Sequence, residues 1–456
     1  MKTLAWSLRA ILALLIVVIA AACKKDEPLI EVKTVDAYPA ETALKWNELF
    51  LEIDRYAPGY RPPAAARMLA YTGLAVYESA VPGMPEYQSL AALYPGLTIP
   101  VAAVNENYHW PVVVNAVYGY MLSRFFPHIR EDLKQKIESL EQSIYAQYSS
   151  SLSEKELDES RNYGLSVARA VFEYAKSDEI GQNGYRNPQP ANYLPPVGPG
   201  KWKPTPPDFA AALFPYWGEV RPFAIKPADM TGRPPLAYSE SPSSPLYVQA
   251  NEVYAMTQEK NSEWQWIGEF WSDDIFELTF EPAARWVAIA NQVVSAEQAD
   301  LAKAVVTYAK LGMALCDGGI VTWHNKYLFN IERPVTYINR LIDPNWTTTL
   351  NNPLSGMKGV SPPFPAYPSG HSTFGAAAAE ILTSEFGFNY SMTDRCHETR
   401  VEFNGKPRTF NNFYEMAEEN AISRIYLGVH FRMDCTEGLR IGYLAGRRVN
   451  ELPWKL

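Results

Sequence analysis

Cysteine is scarce, with four in 456 residues at positions 23, 316, 396 and 435, and no Cys-x-x-Cys pair. That spacing excludes a zinc ribbon and a dense disulfide framework. Positive charge is in deficit, with 41 Lys and Arg against 50 Asp and Glu and a net charge of −9. A chain without a basic surface is a poor nucleic-acid partner. Strand-like alternation of apolar and polar residues is missing throughout, and nothing after the first 22 residues reads as a membrane span. What remains is ordinary for a large globular body, 47% hydrophobic and 20% charged. Proline (36), tyrosine (28) and tryptophan (12) are plentiful, which predicts long ordered loops pinned by aromatic anchors.

The N-terminus reads as a targeting segment. Lys2 and Arg9 precede an apolar run from Ile11 to Ile19, then Ala20-Ala21-Ala22-Cys23 and a polar Lys24-Lys25-Asp26-Glu27. This resembles a bacterial lipoprotein signal, which implies removal of residues 1–22 and lipidation of Cys23. The expectation is an exported lipoprotein of a Gram-negative bacterium, anchored in the outer membrane and facing the periplasm or the cell surface. An ordinary secretory signal would leave Cys23 free. Residues 23–40 lack periodicity and read as a tether. Cys316 lies in an apolar helical run and reads as a buried small hydrophobe. Cys396 and Cys435 both read as loop residues, and in an oxidising compartment the two could pair.

From residue 41 the apolar period is helical. Ala66, Leu69, Ala70, Leu74, Tyr77 and Ala80 recur at three and four residues, and further helices are predicted over 107–126, 130–148 and from Ser153. Residues 178–247 break the pattern with Gly, Pro and aromatics. That stretch is either an excursion wrapped over the body or part of a substrate funnel, and wrapping is favoured. Helices resume near Tyr247 and are predicted over 282–294, 301–328, 371–386, 412–425 and 436–449. The body therefore spans 41–456, with N-terminal helices and the wrapping loop to 247 and a second bundle from 248.

Three short motifs occupy that second part. Lys326 is followed seven residues later by Arg333 and Pro334; Pro368-Ser369-Gly370-His371 opens a helix; Ser423-Arg424 is followed by His430 and Asp434. Seven residues is two helical turns, so Lys326 and Arg333 are expected on one helix face, with Pro334 ending it. Trp323, three residues before Lys326, shares that face. Together the motifs supply three fixed cations, a hydroxyl, a helix-initiating amide and two imidazoles, a set suited to a small, highly charged oxyanion.

In this order the motifs resemble the signature shared by type-2 phosphatidic acid phosphatases and vanadium-dependent haloperoxidases, with every position matched. Pro62 to Leu69 is similar to the soluble bacterial haloperoxidase-like branch. The resemblance implies an all-α fold of two packed four-helix bundles. It implies that Lys326, Arg333 and Arg424, with Ser369 and the Gly370 amide, hold the oxygens of vanadate, or of phosphate in the same cradle. It makes His430 the axial vanadium ligand, or the phosphohistidine nucleophile of a phosphatase. His371 becomes the acid–base residue and Asp434 the residue that orients His430.

Trp323 and Phe364 resemble aromatic halide-pocket residues of fungal-type chloroperoxidases, and Phe270-Trp271-Ser272-Asp273-Asp274 resembles a segment whose acid buttresses the second arginine, here Asp274. Core packing for the aromatics and a helix N-cap for Asp274 are the plain alternatives. The expected activity is oxidation of halide by hydrogen peroxide to a hypohalous acid equivalent, with iodide or bromide favoured because they are easier to oxidise than chloride. Phosphate-ester hydrolysis at the same site is the second reading, and a surface lipoprotein with a residual site the third. His324 is a possible supporting residue; His109, His128 and His397 read as surface or structural.

Overall fold

The computed structural model describes residues 33–103 and 106–456. The apolar N-terminal segment, Cys23 and the tether as far as residue 32 lie outside the described residues. At the end of that tether, Val35–Ala37 forms a 3-10 turn and Val35 is fully buried.

Among the described residues the only sheet is a two-stranded hairpin, β1 (Met392–Asp394) with β2 (Arg408–Phe410). Everything else that is regular is helical. The N-terminal bundle comprises α1 (Glu41–Tyr56), α2 (Pro63–Ala80), α3 (Trp110–Phe125), α4 (Glu131–Tyr148) and α5 (Glu154–Lys176), with a short α6 (Glu179–Asn183) after it. Here α2, α3 and α5 pack on one another, and α1 and α4 flank α3. Every residue of α2 is buried, including Arg67, paired with Asp178 at 3.2 Å, and Glu78, which accepts from the Ser89 hydroxyl and the Leu90 amide. After the long loop come α7 (Pro245–Gln258), α8 (Ser262–Phe270), α9 (Ala284–Ala296), α10 (Leu301–Phe329), α11 (Pro334–Leu341), α12 (Gly370–Phe386), α13 (Phe413–Tyr426) and α14 (Arg432–Asn450). Helices α10, α12, α13 and α14 form the second bundle, and α10 also packs along α2 and so joins the two. By length and hydropathy α10 could cross a membrane, but its apolar window is entirely inside the protein, making it the central core helix.

Two local readings need correction. Lys326 and Arg333 do not share a helix face. Helix α10 stops at Phe329 because Asn330 turns left-handed (φ 55°), and Arg333 is the N-cap residue of α11. Pro334 starts that helix, since its fixed φ and missing N–H suit a first-turn position. Cys396 and Cys435 are both free thiols: Cys396 sits against the Gln292 amide, 3.2 Å away, whereas Cys435 lies on α14 in the apolar cluster that α7, α11 and α13 build.

The loop after α6 is strapped onto α10. The buried Asp317 carboxylate accepts the amides of Phe223, Ala224 and Ile225 at 2.7, 2.7 and 2.9 Å. Asn325 accepts from the Gly232 amide at 2.7 Å and donates to the Met230 carbonyl at 2.8 Å. The same loop places Pro188, Gln189 and Leu213 in the wall of a deep cavity, so it both wraps the body and shapes the funnel.

Candidate active site

A cavity of about 340 Å3 opens between the two bundles' loops, with Gly370, His371, Arg424 and His430 in its wall beside Trp323, Phe364 and Asp274. Lys326, Arg333, Ser369 and Asp434 lie fully buried behind that wall. The three motifs therefore converge, although 108 residues separate Lys326 from Asp434.

Packing of α14 on α12 brings two of the motifs together. Gly438 and Gly442 face α12 so closely that an added Cβ would stand 2.5 Å from the Ser369 carbonyl oxygen and 2.2 Å from that of Thr373. The close approach lets the Ser369 amide donate to the Asp434 carbonyl at 2.9 Å. Ser369 caps α12. Its hydroxyl oxygen accepts from the Ser372 amide (3.3 Å) and the Ser372 hydroxyl (2.9 Å), so its own proton stays available. The Gly370 amide, at the first helical position, has no intrahelical acceptor.

His430 has a defined tautomer. Nη1 of Arg333 lies 3.1 Å from its Nε2, and an arginine can only donate. Nε2 is therefore the bare nitrogen, and Nδ1–H donates to Asp434 Oδ2 at 3.0 Å. The Phe431 amide reaches the same Asp434 oxygen at 2.9 Å. Burial lifts the Asp434 carboxyl to about 7, while the Phe431 amide, Lys326 and Arg333 pull against it. Burial, then Arg333, Lys326 and Arg424, hold His430 well below the usual imidazole range.

His371 is arranged the other way round. Its Nε2 donates to the Ser272 carbonyl at 2.8 Å, which leaves Nδ1 without a protein partner. Burial and the Arg424 charge push its pKa down to about 4, against the opposing pull of Asp274. Asp274 Oδ2 lies 2.8 Å from Arg424 Nη2, out of line for a hydrogen bond, so Nη2 and Nε of Arg424 keep their donor capacity. Nη2 of Arg333 is likewise a buried donor with no acceptor. Arg333 Nε donates to Phe364 O and Nη1 to Val429 O, each at 2.8 Å, which pins the guanidinium plane. Lys326 Nζ donates to the carbonyls of Pro365 (2.9 Å), Ala366 (3.1 Å) and Pro368. Burial and the neighbouring arginines depress the Lys326 pKa strongly and bring Arg333 down to about 9.

These depressions have one physical meaning: three cations are buried together with too little negative charge among them. Three orphaned guanidinium N–H groups, a free hydroxyl proton, a helix-initiating amide and the bare Nε2 of His430 match a tetrahedral oxyanion whose central atom can accept a nitrogen lone pair. The donor set fits vanadate, and it fits phosphate equally in charge and shape.

The walls are apolar. The rings of Trp323 and Phe364 lie 5.2 Å apart, and Phe374, which the sequence did not flag, stacks on Trp323 at 6.5 Å. Sequence reasoning also missed the lock beneath Asp274. Asp273, in a left-handed conformation (φ 41°), holds His397 Nε2 at 2.9 Å and Arg285 Nη1 at 3.3 Å. His397 is thus a buried structural histidine. His324 packs beside Gly218 and takes no part in the cavity wall; His109 is buried against Tyr38 and Tyr148, and His128 is an exposed ring bonded to the Pro58 carbonyl. Only the aromatic residue types and the Asp-Asp pair could have signalled any of this.

Residues 306–453 match the family model described as the VCPO second helical-bundle domain. The vanadium chloroperoxidase of Curvularia inaequalis is 25% identical over 502 residues, covering 89% of this chain and 81% of the relative. The vanadium-dependent bromoperoxidase of Ascophyllum nodosum is 32% identical over 117 residues, 24% of this chain and 21% of the relative. Among solved structures, a bacterial vanadium-dependent iodoperoxidase superposes with a TM-score of 0.79 at 30% identity, covering 92% of this chain and 98% of that one. A holo bacterial vanadium-dependent chloroperoxidase shares the fold at a TM-score of 0.65 and 16% identity, covering 87% and 93%.

Proposed function

The chain belongs to the vanadium haloperoxidase family, and from that premise we propose that it is a vanadate-dependent enzyme that oxidises iodide, and more slowly bromide, with hydrogen peroxide. The observation that carries this reading is the buried surplus of positive charge around the bare Nε2 of His430, with unpaired donors on Arg333 and Arg424. Bound vanadate supplies a Lewis-acidic centre at which peroxide is activated toward halide.

The chain's own residues do the rest. His430 would hold the vanadium of the bound anion through its Nε2 lone pair, and Asp434 keeps the proton on Nδ1. Arg333, Arg424, Ser369 and the Gly370 amide would orient the anion's oxygens, and Lys326, its three N–H groups held by carbonyls, would add neutralising charge. His371, neutral and with Nδ1 free, takes and returns the proton that peroxide must lose. Asp274 and the Ser272 carbonyl hold Arg424 and His371 in place. Trp323 and Phe364 exclude water and offer polarisable faces to a weakly hydrated halide. Iodide is favoured because it is the easiest of the halides to oxidise, and the similarity to a bacterial iodoperoxidase supports that choice.

Protein lacking residues 1–23, dialysed against orthovanadate or against phosphate, tests the reading through peroxide-dependent iodide oxidation. Activity that appears only with vanadate and is suppressed by phosphate supports it. Absence of peroxidase activity, with phosphate-ester hydrolysis inhibited by vanadate, would mean the cradle runs as a phosphatase through a His430 phosphoenzyme. Chloride turnover matching iodide turnover would overturn the halide assignment.

A further inference from the structure

The lining of the cavity grades from buried to exposed. His371, His430 and Arg424 are only 7%, 1% and 0% exposed, whereas Phe276 is 39% exposed and Gln189 is exposed. Arg61 belongs to the outer part. It is partly exposed, sits in the loop between α1 and α2, and shares the cavity wall with Gly59 and Pro62.

Its guanidinium is fixed by neutral acceptors. Nη1 donates to Thr279 O at 2.8 Å, and Nη2 donates to Asp273 O at 2.7 Å and Phe280 O at 3.1 Å. The Nε–H is left uncommitted. Among the described residues no carboxylate lies within 4.0 Å of Arg61 to form an ion pair. Nearby Asp273 is engaged by Arg285 and His397, and Asp274 by Arg424. Two buried acids, Asp54 and Glu281, feel the Arg61 charge without touching it: burial pushes both upward, Asp54 to about 6, and Arg61 pulls against that rise. A rigid cation with no carboxylate in direct contact therefore stands in the cavity wall of a chain whose net charge is −9. Pro62, Pro188, Pro282, Pro362 and Pro363 form the surrounding wall, and such low-dielectric walls focus a field instead of screening it.

We propose that Arg61 is the halide-collecting residue of the cavity mouth, drawing the anion inward toward His371 and Arg424. This rests on the haloperoxidase reading and adds to it a specificity determinant that lies in none of the three motifs. The reactants differ in charge in a way that isolates the effect. Halide is an anion, whereas hydrogen peroxide and hypohalous acid are neutral, so a fixed charge at the entrance acts on one substrate and neither holds back the other nor traps the product.

The test uses vanadate-loaded wild type, Arg61→Gln and Arg61→Lys. Steady-state kinetics for iodide and for peroxide are measured from low salt to well above physiological ionic strength, where the Debye length drops from roughly 30 Å to roughly 3 Å. Arg61→Gln is expected to raise KM for iodide about five- to tenfold at low salt, with KM for peroxide unchanged and the salt dependence of kcat/KM for iodide flattened. Arg61→Lys keeps the charge but loses the forked carbonyl contacts, so it is expected to keep the wild-type salt dependence. Crystals soaked in sodium iodide give a readout that needs no turnover: anomalous scattering is expected beside Nε in the wild type and absent in Arg61→Gln. If Arg61→Gln retains the wild-type salt dependence, if both KM values rise together in both variants, or if no iodide is found beside Arg61, the residue only clamps the 273–280 loop and the proposal falls. A wild type that hydrolyses phosphate esters and oxidises no halide overturns the functional reading itself, and this inference with it.

Discussion

Nη1 of Arg333 points its proton at Nε2 of His430 across 3.1 Å, so a cation holds the histidine's outward nitrogen bare. That arrangement exists only while Asp434 accepts the proton of Nδ1, 3.0 Å away. Replacing Asp434 by Asn lets an amide N–H face Nδ1, which moves the ring proton to Nε2 and sets it against the Arg333 donor. Asp434→Asn is expected to weaken vanadate binding about 10- to 100-fold. His430→Ala, which removes the lone pair, is expected to abolish it. Equilibrium dialysis with vanadate measures both. His371→Ala should lower turnover more than binding, and equal loss of affinity in the His371 and His430 variants would contradict the division of labour.

Trp323 is fully buried and Phe364 nearly so, and their rings meet at 5.2 Å on the cavity wall. Both also belong to the main apolar core, so packing and halide selection are separable only by measurement. Trp323→Phe and Phe364→Leu are expected to change the iodide-to-bromide ratio of kcat/KM while leaving vanadate affinity within about twofold, because neither side chain donates to the anion. A lower Tm with an unchanged ratio would assign the two rings to the core alone.

Much of this site was legible in the sequence because its chemistry depends on residue types that spacing makes conspicuous: a lysine and two arginines, each with a set interval to a proline, a serine or a histidine. Helix α12 and its Ser369 cap were readable for the same reason, since a Ser-Gly-His start and an alanine-rich run carry local signals. Failures came where backbone decides. A seven-residue spacing is two helical turns and predicts Lys326 and Arg333 on one helix, yet the left-handed Asn330 breaks that helix between them. The acceptors that orient the site are carbonyls of Ser272, Phe364 and Val429, and no side-chain pattern announces a carbonyl. Arg61 reaches the cavity from a segment far upstream of the motifs, through tertiary contacts alone. The β1–β2 hairpin, with strands of three residues, is too short to leave a period.

His371 sets a pH window. Its folded pKa of about 4 lies below the ordinary 6.5, so between those values the unfolded chain binds more protons than the folded one. The neutral imidazole therefore contributes stability that is fully present above about 6.5 and is lost as pH falls toward 4, on the order of 3 kcal/mol for the whole shift. His371→Gln removes that contribution. Melting curves between pH 4 and 7 are expected to show a smaller fall in Tm toward acid for the variant than for the wild type. A wild-type and variant difference that stays constant across this range would show that His371 titrates normally.

The closeness of α14 to α12 is what positions Ser369, and two glycines on one face of α14 separate that role from packing in general. A Cβ on Gly438 would stand 2.5 Å from the Ser369 carbonyl oxygen and 2.8 Å from Ser372 Cβ. A Cβ on Gly446, two turns further along, would meet Glu380 Cβ at the same 2.5 Å, away from the cavity. Ala at either position must push the helices apart, at a cost of about 1–3 kcal/mol. Only Gly438→Ala disturbs the Ser369 amide to Asp434 carbonyl bond of 2.9 Å and, with it, the hydroxyl and the Gly370 amide that face the anion. Both variants are therefore expected to melt at lower temperature, and only Gly438→Ala to lose vanadate affinity, by about tenfold for one misplaced hydrogen bond. Binding isotherms run beside thermal melts decide the matter. If Gly446→Ala loses affinity as fully as Gly438→Ala, the cradle is held by the bundle as a whole and not by the local contact beneath Ser369.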